Sequence, residues 1–242
     1  MNRVTAVPVA LSMSLALLAG CNREQHRAEQ AAAQAAATED AAKKGEAAFQ
    51  QAVDQQNWAL AKAQADVLMS QYPASQAAGR VGAQYDDVKA KADAQHDATR
   101  VAALWNYNRV SVEGGTQVSA AIDAKDDVDV DGSGAKPVQL IFRDHPSWGR
   151  SAYLVLQAGD FNCYGGCKVK VKVDDKAAKS MAASRPKTDE AIAMFIEDER
   201  ALWRMTRDAR QLSIEFPVKA GGTRTALFEV GGLDHGQMPG WD

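Results

Sequence analysis

Two cysteines flank Tyr164-Gly165-Gly166 in FNCYGGCKVKVKV, residues 161–173, and a lysine–valine alternation follows them. Thiols this close can form a redox centre, half of a metal site, or a staple across a turn. A second candidate is DDVDVDG, residues 126–132, where Asp127, Asp129 and Asp131 precede Gly132 as at the start of an EF-hand-like calcium loop. Ca²⁺ takes about six to eight oxygen ligands, and such a loop closes on a bidentate glutamate at about its twelfth position. Counted from Asp127, that position is Val138. The segment therefore reads as an acidic hairpin loop whose Asp and Gly residues form turns. A weak calcium loop at Asp127, Asp129 and Asp131 is the alternative.

The other residues able to do chemistry are dispersed. His26, His96, His145 and His235 show no zinc-ligand spacing and read as surface or turn residues, His145 in the loop RDHPSWG. No G-x-S-x-G elbow marks a nucleophile, and Gly114-Gly115 and Gly221-Gly222 suit hairpin turns better than phosphate loops. Asp174-Asp175 and Glu197-Asp198-Glu199 read as solvated acids, with Glu199 well placed at a helix N-terminus. No catalytic residue, resident metal or cofactor is expected. Trp105 and Tyr107 share a strand face, Trp148 lies in the His145 loop, and Trp203 with Arg207 and Arg210 could form a second helix face. Such residues are enriched in interaction hot spots, but core packing is the reading for most of them.

The first residues bear on the compartment. A basic Met-Asn-Arg start, an apolar run over Val4–Leu18 and small residues before Cys21 make a secretory signal over residues 1–20. The run is interrupted by Pro8, Ser12 and Ser14 and falls short of the ~20 apolar residues of a spanning helix. Leu18-Ala19-Gly20-Cys21 resembles the lipobox of bacterial lipoproteins. That resemblance implies cleavage before Cys21, lipidation of its sulfur and acylation, including palmitate, of the new amino terminus. Each buried CH₂ would add about 0.8 kcal/mol to the anchor. In that family aspartate after the cysteine is the inner-membrane retention signal, so Asn22 implies an outer-membrane location facing the periplasm. Cleavage would leave 27 Lys+Arg against 31 Asp+Glu, a formal charge of −4. This mildly acidic balance carries no electrostatic footprint for nucleic acid, and nothing in the sequence specifies an oligomeric state. Export into an oxidising compartment, with Cys21 lipidated, leaves Cys163 and Cys167 to pair as a structural disulfide. Three intervening residues in a turn feeding a strand suit a staple that sets hairpin register.

These residues must be positioned by two halves of different texture, an α+β chain. Residues 21–38, a lipidated cysteine and an Ala/Gln-rich run, read as a tether, partly helical or disordered. Residues 39–104 are helical. Trp58, Ala61, Ala65, Leu68 and Tyr72 form one stripe, Pro73 stops that helix, and Ser75 caps another with Ala78, Val81, Tyr85, Val88 and Ala92. This predicts a hairpin or three-helix segment.

From Trp105 to residue 242 the pattern is β-rich. Strands are expected at 105–112, 117–123, 138–143, 152–157, 167–173, 193–196, 212–218 and 225–230, in an antiparallel sandwich or barrel. One helix over 199–210 has Leu202, Met205 and Ala209 inside, and residues 176–187 read as loop.

Residues 48–78, AFQQAVDQQNWALAKAQADVLMSQYPASQAA, resemble one degenerate tetratricopeptide-type helix pair. Such repeats stack into peptide-binding grooves. Residues 105–233 resemble small periplasmic β domains of the VasI-like type. The likeness rests on Trp105-Asn106-Tyr107, Phe161-Asn162-Cys163 to Cys167-Lys168-Val169, and Phe228-Glu229-Val230-Gly231-Gly232-Leu233. The expectation is a non-enzymatic, periplasm-facing lipoprotein, anchored in the membrane through Cys21, that serves as an envelope accessory or interaction module for another envelope protein. A thiol-redox or other enzyme using Cys163 and Cys167 is one alternative. A structural envelope component or secretion-system accessory is the other.

Overall fold

The computed structural model describes residues 16–186 and 192–241, with side chains from Arg23 onward. Most of the expected signal peptide and the Cys21 side chain lie outside the described residues. The chain divides into two compact units, Met1–Gln95 and His96–Asp242.

The first unit contains α1 (Ala16–Asp54), α2 (Trp58–Gln71), α3 (Gln76–Gly82) and most of α4 (Tyr85–Ala102). Residues 22–38 are helical throughout, because alanine, glutamine, glutamate and arginine propagate a helix cheaply once a packed segment downstream has nucleated it. α2 buries Ala61, Ala65 and Leu68 against α1's Ala42, Phe49 and Ala52. A Cβ on Gly45 would stand 3.0 Å from Leu68 Cδ1, so the missing side chain lets the helices approach. Tyr72 is the C-cap ahead of Pro73, and Ser75 caps α3 by accepting from Ala78 N. Glu39 of α1 adds a second cap, accepting from Gln76 N at 2.9 Å and Ala77 N at 3.2 Å. The expected single helix after Ser75 breaks at Ala83-Gln84, giving α3 and α4.

The second unit carries nine strands: β1 (Trp105–Val112), β2 (Gly115–Asp123), β3 (Val138–His145), β4 (Gly149–Leu156), β5 (Cys167–Val173), β6 (Lys179–Ser184), β7 (Ala193–Ile196), β8 (Leu212–Pro217) and β9 (Thr223–Phe228). They form one antiparallel sheet in the order β1-β2-β3-β4-β7-β6-β5-β8-β9, which with the helical unit gives the expected α+β chain with an antiparallel, sandwich-like β domain. The sheet is sandwich-like because residues of both halves enter one core, from Ile122, Leu140 and Phe142 to Phe161, Phe216 and Phe228. At one end the Trp105 indole N–H donates to Val230 O, and Lys125 N donates to Leu227 O, tying the two edges. Strict alternation sets the faces: in β5, Val169, Val171 and Val173 are buried while Lys168, Lys170 and Lys172 are exposed.

Strand β6 was expected to be loop. KSMAAS carries no β-branched or aromatic residue, and it becomes a strand by pairing on both sides, with β5 and β7. Helix α5 (Glu199–Arg207) is capped by Asp198, which accepts from Ala201 N. It ends three residues before the expected Arg210, where Asp174 Oδ1 accepts from both Arg210 N and Gln211 N. Trp203 is not an outward face. It is fully buried, near-perpendicular to Phe142 at 5.1 Å and beside Trp241 at 5.0 Å.

The unit boundary falls inside α4 instead of at Leu104, because the last turns of that helix belong to the sheet. Arg100 donates to both oxygens of Glu229, at 3.1 and 3.0 Å. Gly232 lies so close to Val101 and Ala102 that a Cβ there would clash with their backbone.

Candidate functional site

The cysteines flanking Tyr164-Gly165-Gly166 are joined as a disulfide, with Cα atoms 5.0 Å apart. Gly165 and Gly166 supply the positive φ values of 79° and 100° that the turn needs. Cys163 is 1% exposed, and its carbonyl accepts from Gly166 N and Arg185 N. Cys167 opens β5 opposite Ala183. Asp160 binds the turn down, accepting from Arg185 Nε at 2.5 Å and from the Tyr164 hydroxyl at 3.2 Å, while the Arg185 guanidinium lies 4.7 Å from the Tyr164 ring centre. Cys163 is sealed within this network, whereas Cys167 is half-buried.

The aspartate loop is a hairpin. Val128 and Lys136 exchange two backbone hydrogen bonds, and the segment between them turns on its own carboxylates. Asp129 accepts from Gly132 N at 2.7 Å and Asp131 from Ser133 N at 3.0 Å. Asp127 is exposed and makes no such turn contact. Among the described residues, no group of three or more His, Cys, Asp or Glu side chains is arranged to hold a metal ion. The acids at Asp174 and Asp198 bind backbone amides, as described above.

One surface was only partly visible in the sequence. The outward face of β3 carries Ile141 and Arg143, and that of β4 carries Ser151 and Tyr153. In register, Arg143 opposes Ser151 and Ile141 opposes Tyr153. Tyr153 in turn opposes Phe195 of β7, their ring centres 5.0 Å apart. His145 ends β3 as a buried residue, not a loop residue, because Trp148 folds back and stacks on it at 3.9 Å. Trp148 itself is 71% exposed. The Arg143 guanidinium carbon lies 5.4 Å from the Trp148 ring centre and 5.3 Å from that of Tyr153. Burial pushes the Tyr153 hydroxyl above its ordinary pKa, and the positive charge of Arg143 opposes that rise. The Arg143 Nε and Ser151 Oγ atoms are shielded and have no hydrogen-bond partner among the described residues. The outward face of β5–β8 differs. There Lys170 is paired with Glu215 at 2.9 Å and mostly solvated.

Concavities are also present among the described residues. One, of about 410 Å³, opens beside α5, with an apolar floor including Val173 and Met205 and a rim of Lys176, Lys179 and Arg204. Another, of about 610 Å³, lies within the helical unit between α1 and the Tyr72–Gln76 join. No helix among the described residues is long and apolar enough to cross a membrane. Neither a protein-family model, nor a curated protein, nor a solved structure matches this chain.

Proposed function

We propose that the chain is a non-enzymatic, periplasm-facing envelope lipoprotein, anchored through Cys21 in the outer membrane, that docks another protein on the outward face of β3 and β4. The observation that carries this reading is the Arg143, Trp148 and Tyr153 group: a large exposed aromatic, a cation between rings and a flanking apolar sheet surface. Tryptophan, tyrosine and arginine dominate binding energy where they cluster, because they offer large contact area with a polar handle. The lipobox Leu18-Ala19-Gly20-Cys21 supports the anchor. The acids that could have served catalysis, Asp129, Asp131, Asp160, Asp174 and Asp198, instead hold turns, caps and an arginine.

A photoreactive residue at position 148, activated in intact cells, should give a discrete protein adduct that the same residue at Lys168 does not. Equal labelling from both positions would remove the docking face. Cys21→Ser should abolish acyl labelling and release the protein from the membrane fraction, and an unchanged fractionation would remove the anchor.

A further inference from the structure

The second unit contains four arginines that are buried or half-buried: Arg143, Arg150, Arg185 and Arg224. Three have acceptors. Arg150 donates to Asp144 at 3.3 Å, Arg185 to Asp160, and Arg224 to the carbonyl of Asp129 at 2.7 Å. Arg143 has two aromatic rings and no acceptor among the described residues, and its Nε–H is shielded from solvent. Directly across the ladder, Ser151 Oγ is shielded and unpartnered as well. Two uncompensated polar groups side by side are unusual, since each shielded group without a partner is a destabilising feature.

We infer that Arg143 and Ser151 form a carboxylate-reading pocket, and that the docked partner presents an acidic side chain to it. The inference rests on the docking face proposed above and names the chemistry of its occupant. A guanidinium offers a planar fork that matches the two oxygens of a carboxylate. Trp148 and Tyr153 line it with apolar rings, so part of its desolvation is already complete and an arriving anion meets a stronger field than on open surface. The Ser151 hydroxyl adds a donor on the adjacent strand. A single cation favours a monoanion. A phosphate dianion would call for a second one, and the next half-buried arginine, Arg150, is already paired with Asp144. The exposed Trp148 ring supplies the apolar contact that a protein, rather than a free small anion, would cover.

The test is a nuclear magnetic resonance titration of the arginine Nε–H signals of the purified full chain, with N-acetylglutamic acid α-amide as the probe. The Arg143 signal, identified by its loss in Arg143→Lys, should shift saturably with this probe and stay unmoved with N-acetylglutamine amide at the same concentration. Ser151→Ala should weaken the interaction by about threefold to tenfold, the equivalent of one hydrogen bond. Equal shifts from the amide probe, no shift at all, or tighter binding of inorganic phosphate would each overturn the assignment. If the carboxylate probe binds but position 148 gives no adduct in cells, the pocket stands and the docking role falls. An adduct that persists in Arg143→Gln, with no carboxylate shift in the parent, leaves docking standing and removes the pocket.

Discussion

Six of the ten residues buried in the helical unit's core are alanine, and Phe49 and Leu68 are its bulkiest members. The sheet unit buries Trp105, Phe142, Phe161, Trp203, Phe216, Phe228 and Trp241. The difference follows from geometry. Helices crossing at close range need small residues at the contact, as at Gly45 against Leu68. A sheet that folds over on itself leaves a space of about 10 Å between facing surfaces, which aromatic rings fill. A core built of methyl groups concentrates its stability in a few larger side chains, whereas a core of rings distributes it.

That contrast can be broken experimentally. Phe49→Ala should cost about 3–5 kcal/mol, a large part of what a small alanine-based core supplies. Hydrogen exchange should then find α1 and α2 amides unprotected while sheet amides stay protected. Loss of protection in both regions would show that the units share their stability. Trp203→Ala carries a similar cost of about 3–5 kcal/mol, but the ring-rich core should remain folded with a lowered melting temperature and unchanged helical protection.

Removing the disulfide with Cys163→Ala and Cys167→Ala together should cost less than the ~3 kcal/mol that chain-closure entropy assigns to a 15-residue loop. The network of Asp160, Arg185 and Tyr164 should hold the turn in place, as amide exchange of β5 would report. A smaller effect is expected with pH. Hydrogen bonds from Arg100 hold the Glu229 carboxyl below the usual glutamate range, with desolvation opposing. This stabilisation is present above the unfolded-state pKa and is lost as pH falls through the lower folded value. Glu229→Gln should therefore flatten the acid limb of the sheet unit's melting curve, and an unaltered limb would remove that pair from the account. Arg143→Gln should change stability least, by no more than about 1 kcal/mol, since the guanidinium gives up two ring contacts but no hydrogen bond or ion pair among the described residues. A large loss in thermal unfolding would mean that it is structural and not reserved for a ligand.

Much of the fold was legible in the sequence. The lysine–valine alternation of residues 168–173 placed the buried and exposed faces of β5, and Pro73 with Ser75 marked a helix end and the next start. Strand β6 was not legible, because its alanines and serines owe their conformation to the two neighbours they pair with. The candidate site was half legible. Trp148 stood out as an aromatic beside His145, but no local spacing announced that Arg143 would lie between Trp148, five residues on, and Tyr153, ten residues on across the β3–β4 hairpin. An arginine on an outward strand position looks the same in sequence whether solvent or rings surround it.

The periodicities, the turns and caps, and the change of texture near Trp105 could be read along the chain, and the pairing of Cys163 with Cys167 was one of the readings it left open. Those features depend on residues within a few positions of one another and on the stereochemistry of glycine, proline and aspartate. The folded chain was needed to show that the last turns of α4 join the sheet unit, that Trp203 is core, and that Arg143 Nε and Ser151 Oγ have no hydrogen-bond partner among the described residues. These depend on which distant strands and helices become neighbours, and burial is a property of the assembled surface and not of any segment within it.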